Sequence, residues 1–113
     1  MRQLILAGLL IVPAYGCANA NAATFDSSDP VQCMTIFGIA ANGAKERGQH
    51  ELAEEMIGRQ MLLAEQQGGV EWIKGMTPRS VELAQKMEAA QDVQATLELL
   101  SQCKARQNAG SAF

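Results

Sequence analysis

The chain is poor in the residues that usually carry chemistry. Its 113 residues include one histidine, three cysteines and only 4% aromatic residues. A single histidine, His50, leaves little from which to build a triad, and no second imidazole stands at metal-ligand spacing. No serine sits in a G-x-S-x-G elbow. No G-x-G-x-x-G, P-loop, C-x-x-C or H-E-x-x-H motif occurs either. The lack of C-x-x-C argues against thiol oxidoreductase work. Basic residues never cluster and the formal net charge is −3, which argues against nucleic acid or an anionic membrane as partner. Apolar and polar residues never alternate as a strand requires, so the class expected is all-α. The longest apolar run, Leu4 to Val12, falls well short of the roughly 20 residues that span a bilayer.

That run sits where it is most informative. Arg2 gives a short positive start, Pro13 breaks the apolar stretch, and small residues lead to Ala20-Asn21-Ala22. The layout is that of a secretory signal with an A-x-A cleavage site before Ala23. Residues 1–22 are therefore expected to be a signal peptide, and residues 23–113 a single helical domain with an ordered core over about 30–106. Removing 22 of the 113 residues leaves 91, enough for one small domain. Arg2 leaves with the signal, so eight basic residues face twelve acidic ones, a formal charge of −4. A periplasmic or secreted location follows as the expectation, with no membrane span in the processed chain. A rival reading exists in Ala14-Tyr15-Gly16-Cys17, which loosely resembles a lipoprotein processing box. There Cys17 would carry a lipid anchor, but Ala14 stands where leucine is usual and Tyr15 is bulky.

Cys33 and Cys103 remain after cleavage. In an oxidising compartment two cysteines read as one disulfide. Helix signals place them. Asp29 is a candidate N-cap, with Pro30 at the first helical position and Gln32 at the capping-box position. Cys33, Ile36, Phe37, Ala40, Ala41 and Ala44 then form one apolar stripe, predicting a helix over 30–47 that Gly48 ends. Residues 49–67 form a second helix with Leu52, Ala53, Met56, Ile57, Gln60, Leu63 and Ala64 inward, stopped by Gly68-Gly69. Val70 to Met76 reads as one or two short helical turns. Thr77 is expected to cap a helix over 79–90 carrying Val81, Leu83, Ala84, Met87 and Ala90. Asp92 caps the last helix, 93–106, with Val93, Thr96, Leu97, Leu100 and Cys103 inward and Leu99 widening the face. The fold expected is thus a small antiparallel bundle of about four helices plus a short extra one. Both cysteines fall on inward stripes, which supports the pairing and clamps the first helix to the last.

Candidate sites are few. His50 opens the second helix in a polar turn with Glu54 one turn on. An exposed, solvated side chain is the plain reading, and a metal-binding or enzymatic role using His50 is the alternative. Met34, Met56, Met61, Met76 and Met87 are spread along the chain, without the clustering that Cu(I) would want. Met56 and Met87 read as core, Met34 and Met61 as flanks. Lys45, Glu46, Arg47, Glu51, Glu54 and Glu55 form a charged corner that solvation explains. Trp72, alone after two glycines, either plugs one end of the bundle or lines a binding groove with Ile73 and Met76. No cofactor is implied. The partner expected is a protein or a small apolar ligand.

The signal peptide, a cysteine opening an Ala-rich helix that ends in Lys45-Glu46-Arg47-Gly48, the segment His50-Glu51-Leu52-Ala53-Glu54-Glu55, the Thr77-Pro78-Arg79-Ser80 stretch and a cysteine in the last helix are shared features. On these, residues 30 to 106 resemble small two-cysteine helical secreted proteins of Gram-negative bacteria. The resemblance implies a compartment and a fold, not an activity. Acid-stress chaperones of the periplasm share the plan of a small exported helical chain with one disulfide, an analogy of architecture alone. They have more lysine and a narrower cysteine spacing.

Overall fold

A computed structural model describes residues 25–110. The cleavage site at Ala22–Ala23, Cys17 and Phe113 lie outside the described residues. Four helices follow one another: α1 (Pro30–Glu46), α2 (His50–Gln67), α3 (Val70–Ala90) and α4 (Val93–Asn108). No strand occurs among the described residues. The fold is an all-α antiparallel bundle.

The helix α1 is its centre and packs against the other three. Residues Val31 to Phe37 are buried without a gap, so its first two turns are enclosed on every side. The predicted stripe is therefore wider than expected and takes in Met34, which belongs to the core rather than a flank. Phe37, Ile36, Met56, Leu63 and Leu99 are the large side chains withdrawn completely from water. Each contributes about 1.5–3 kcal/mol by burial. The leader does not trail free. Phe25 packs on this core, and the Asp26 backbone N–H donates to Gln32 Oε1 at 2.7 Å.

The first two helix–helix turns close by the same device. After α1, Gln49 N–H reaches back to the Ala44 carbonyl at 2.8 Å and Gly48 N–H to that of Lys45 at 3.1 Å. After α2, Gly69 N–H bonds the Ala64 carbonyl at 2.8 Å and Gly68 N–H that of Glu65 at 3.4 Å. These paired bonds need a residue at positive φ, and Gly48 (74°) and Gly68 (132°) supply it. The last turn of α3 lacks a glycine, and Gln91 takes the left-handed conformation at φ 52°.

Further expectations are corrected: Ile57 and Val81, predicted on the inward stripes, are 40% and 52% exposed. Residues 70–90 are one helix, with Pro78 inside it and no cap at Thr77. Pro78 has no N–H to give the carbonyl one turn back, and that turn is exposed, so the carbonyl lies open to solvent. The Thr77 hydroxyl donates to the Ile73 carbonyl at 2.6 Å, a bond made within a helix rather than at its start. The helix α4 is rotated from its predicted setting. Ala95, Leu99 and Cys103 face the core, while Val93 is 69% and Leu97 55% exposed. Cys103 is inward in both settings, so the disulfide alone does not set the rotation; Leu99, 2% exposed, joins the core cluster beside Cys103, and Ala95 lies one turn before Leu99 on the same side.

Candidate functional site

Cys33 and Cys103 form the disulfide, their Cα atoms 5.6 Å apart and both side chains at zero exposure. The separation lies in the middle of the range such bonds allow. The bond joins the start of α1 to the end of α4. Polar clamps sit around it. Arg79 of α3 pairs with Asp29, the α1 cap, while Asp29 Oδ1 also accepts from Val31 N–H at 3.0 Å. Thr35 donates to the Val31 carbonyl at 2.7 Å. Its single hydroxyl hydrogen is thereby used, so Ser80 is the donor in the 2.6 Å bond between Thr35 and Ser80. From α2, Arg59 donates to Gln107 Oε1 at 2.8 Å, and Gln107 returns a bond to the Arg59 carbonyl at 3.0 Å. Arg59, Arg79 and Ser80 carry no sequence signal of these roles, because each is a common surface residue until the fold brings a partner to it.

The setting of α4 also creates a concave surface. Leu97 is turned to solvent and half-buried Leu100 packs at the edge of the core, and both face the α1–α2 hairpin. A half-open cleft of about 380 Å³ lies between these elements. Its floor is apolar: Ile36, Ile39 and Ala40 from α1, Leu52 and Met56 from α2, and Leu97 and Leu100 from α4. Gly43 keeps the α1 wall low, and the Arg47 guanidinium folds back over it, with Nη1 3.5 Å from where a β-carbon would stand. Arg47 and Lys104 are the charged residues of the lining, and no carboxylate contributes to it. The volume falls in the lower part of the range for small-ligand sites. The polar side chains of the lining are Arg47, Thr96 and Lys104.

The residues singled out in the sequence are dispersed. Trp72 and Met76 are half-buried and pack against the core, Trp72 close to Gly68. Ile73, between them on α3, is 39% exposed. None of the three lines the cleft. His50 is exposed at the first turn of α2, as is Glu54. Among the described residues no group of three or more His, Cys, Asp or Glu is placed to hold a metal ion. Nor is any helix there long and apolar enough to cross a membrane. Met61 is exposed, while Met34, Met56 and Met87 are buried apart from it in the core.

The signal that could have found the cleft was present in the sequence. The last helix carries more apolar positions than one core-facing stripe can use: Val93, Leu97, Leu99, Leu100 and Cys103 cannot all point inward. Fold and disulfide together define the class: a four-helix all-α bundle stapled end to end by one buried disulfide. No family model, curated protein or solved structure matches the chain.

Proposed function

We propose that the protein is exported, lacks catalytic activity, and works by holding an apolar ligand in the cleft between α1, α2 and α4. One observation carries this reading. Leu52 and Leu97 have the spacing of core residues, yet they are 36% and 55% exposed at an open concavity that half-buried Leu100 also lines. Apolar side chains left open to water and converging on one hollow mark a binding site, so a ligand that covers them is the economical explanation. The buried disulfide supports export, because such bonds persist in oxidising compartments, and the layout of residues 1–22 supports the same route. The polar clamps elsewhere, Arg59–Gln107 and Arg79–Asp29, account for themselves as ties between helices.

The test begins with protein isolated from the periplasm. Its intact mass should match Ala23 to Phe113 less two hydrogens, with no thiol alkylated before reduction. Titration with Nile red, a neutral polarity-sensitive dye, should then give a saturable rise in emission. Ala40→Trp, which fills the floor of the cleft, should abolish that rise while far-UV circular dichroism stays helical. Ile73→Ser, on the α3 surface, should leave it unchanged. A lipidated Cys17 terminus or free thiols would overturn the export reading. Equal dye binding by Ala40→Trp would remove the cleft as the site, and loss in Ile73→Ser would move it to the Trp72–Met76 side.

A further inference from the structure

We infer that the cleft selects amphipathic anions, molecules joining an apolar chain to a carboxylate or similar acidic head. The inference rests on the cleft being a ligand site and goes on to name its ligand chemistry. The lining combines an apolar floor with two cations, Arg47 from the end of α1 and Lys104 from α4. Neither is neutralised. Among the described residues the ion pairs are Arg59–Glu55, Lys74–Glu71 and Arg79–Asp29. Arg47 has the amide oxygen of Gln49 at 3.4 Å as its side-chain partner, a neutral group. Lys104 is half-buried, and no hydrogen bond or ion pair reaches its ammonium among the described residues. A lysine in the wall of an apolar hollow, with no counter-ion, is an incomplete arrangement. An acidic head beside Leu100 would complete it through a charge-assisted hydrogen bond while the chain covers Ala40, Met56 and Leu97.

The setting sharpens the argument. The chain as a whole is acidic, with twelve Asp and Glu against nine Lys and Arg. Its long-range field repels anions, so any preference for an anion must arise from contact within the cleft. A cleft that served cationic chains would gain from a carboxylate in its wall, and it has none. Two cations in the lining of a hollow in an acidic protein are thus a local reversal of sign at the place where apolar surface is exposed.

The experiment compares three ten-carbon probes below their micellar concentrations: sodium decanoate, decyltrimethylammonium bromide and decyl maltoside. Calorimetry gives affinity, and amide chemical shifts of the disulfide-bonded exported protein give location. Decanoate should bind at least tenfold more tightly than decyltrimethylammonium and shift Ala40, Leu97 and Leu100. In the double variant Lys104→Gln, Arg47→Gln that preference should fall to within a factor of about two, with helicity unchanged. Arg47 is exposed and Lys104 half-buried without a partner among the described residues, and glutamine is a polar helix former of similar reach, so the variant is expected to fold as the parent does, which far-UV circular dichroism checks. Equal binding of all three probes at the cleft would overturn the anion preference and leave the apolar site standing. Binding of none, or shifts confined to other surfaces, would remove the site itself and the inference with it. Anion preference that survives in the double variant would also overturn the assignment to Lys104 and Arg47.

Discussion

Asp26 shows how a single exposed side chain is tuned by its neighbours. Its carboxylate accepts from the Ser28 hydroxyl at 2.7 Å and from the Ser28 backbone N–H at 2.9 Å. These two bonds, the hydroxyl first, hold its pKa below the ordinary aspartate value, and the positive charge of Arg106 adds a smaller push in the same direction. A carboxylate with a depressed folded-state pKa stabilises the fold above the unfolded value of about 3.9 and loses that contribution as pH falls through the folded value. The effect therefore belongs to the acid limb below about pH 4 and plays no part near neutrality. Carbon-detected NMR titration of the side-chain carboxyls should find the Asp26 midpoint below that of an unstructured aspartate. Ser28→Ala should move it upward, because the stronger of the two bonds is gone. An unmoved midpoint would mean that the backbone N–H alone sets it. The same carboxylate-bearing turn positions the leader, since the Asp26 N–H is held by Gln32 and the Asp29 N–H by the Asp26 carbonyl at 3.2 Å. Gln32 stands at the capping-box position but reaches past the cap to Asp26. Spacing alone could not reveal that choice between two nearby donors.

At the scale of helices, the glycines separate those that packing needs from those it tolerates. In α1, a β-carbon on Gly38 would stand 2.7 Å from Gln60 Nε2. That amide crosses from α2 to donate to the Met34 carbonyl at 3.0 Å, so the bare glycine is what lets it in. Gly58 in α2 and Gly75 in α3 have nothing within 4 Å of the same point. Gly58→Ala and Gly75→Ala should each stabilise by about 0.5–1 kcal/mol from helix propensity and the lower entropy of the unfolded chain. Gly38→Ala should show no net gain, since a similar propensity gain is offset by losing a hydrogen bond of about 1 kcal/mol. Urea unfolding with the disulfide intact measures all three. A Gly38→Ala gain equal to that of Gly58→Ala would mean that the Gln60 bond contributes nothing. The same elements show what periodicity reveals. Caps at Asp29 and Asp92, the stops at Gly48 and Gly68 and the number of helices were legible, because these are local bonds written in neighbouring residues. The sequence pointed to a break at Thr77-Pro78, and it is absent because the turn before Pro78 lies open to water. The setting of α4 was misread for a different reason. Its two overlapping stripes, Val93-Thr96-Leu97-Leu100 and Ala95-Leu99, share Cys103 and fit a helix equally well. The tie to Cys33 satisfies both; the seat of Leu99 in the core cluster fixes the setting, and the cleft is where the other stripe opens to solvent.

For the molecule as a whole, that tie has a larger consequence. The α1–α2 hairpin is held by a continuous core in which Phe37, Met56 and Leu63 interlock. By contrast α4 commits only Ala95, Leu99 and Cys103 to full burial, assisted by half-buried Leu100 and the Arg59–Gln107 bonds. Two methyl-sized or medium apolar side chains and a polar clamp supply little against the entropy of ordering a 16-residue helix. The disulfide makes up the difference. It closes a loop with a sequence separation of 70, and the chain-entropy argument values that at about 4 kcal/mol, much of the margin of a domain this small. Reduction should therefore act unevenly. Hydrogen exchange on the reduced protein should show α4 amides losing protection first, by a factor of a hundred or more, while the middle of α1 and α2 falls less. The cleft should disappear with α4, because Leu97, Leu100 and Lys104 are its third wall. Ligand binding and thiol reduction then become linked: a ligand seated in the cleft should slow reduction of the buried bond in proportion to its occupancy. Equal loss of protection in all four helices would show one cooperative unit and sink the idea that α4 is the weak element. Retained α4 protection after reduction would show that its packing suffices without the bond.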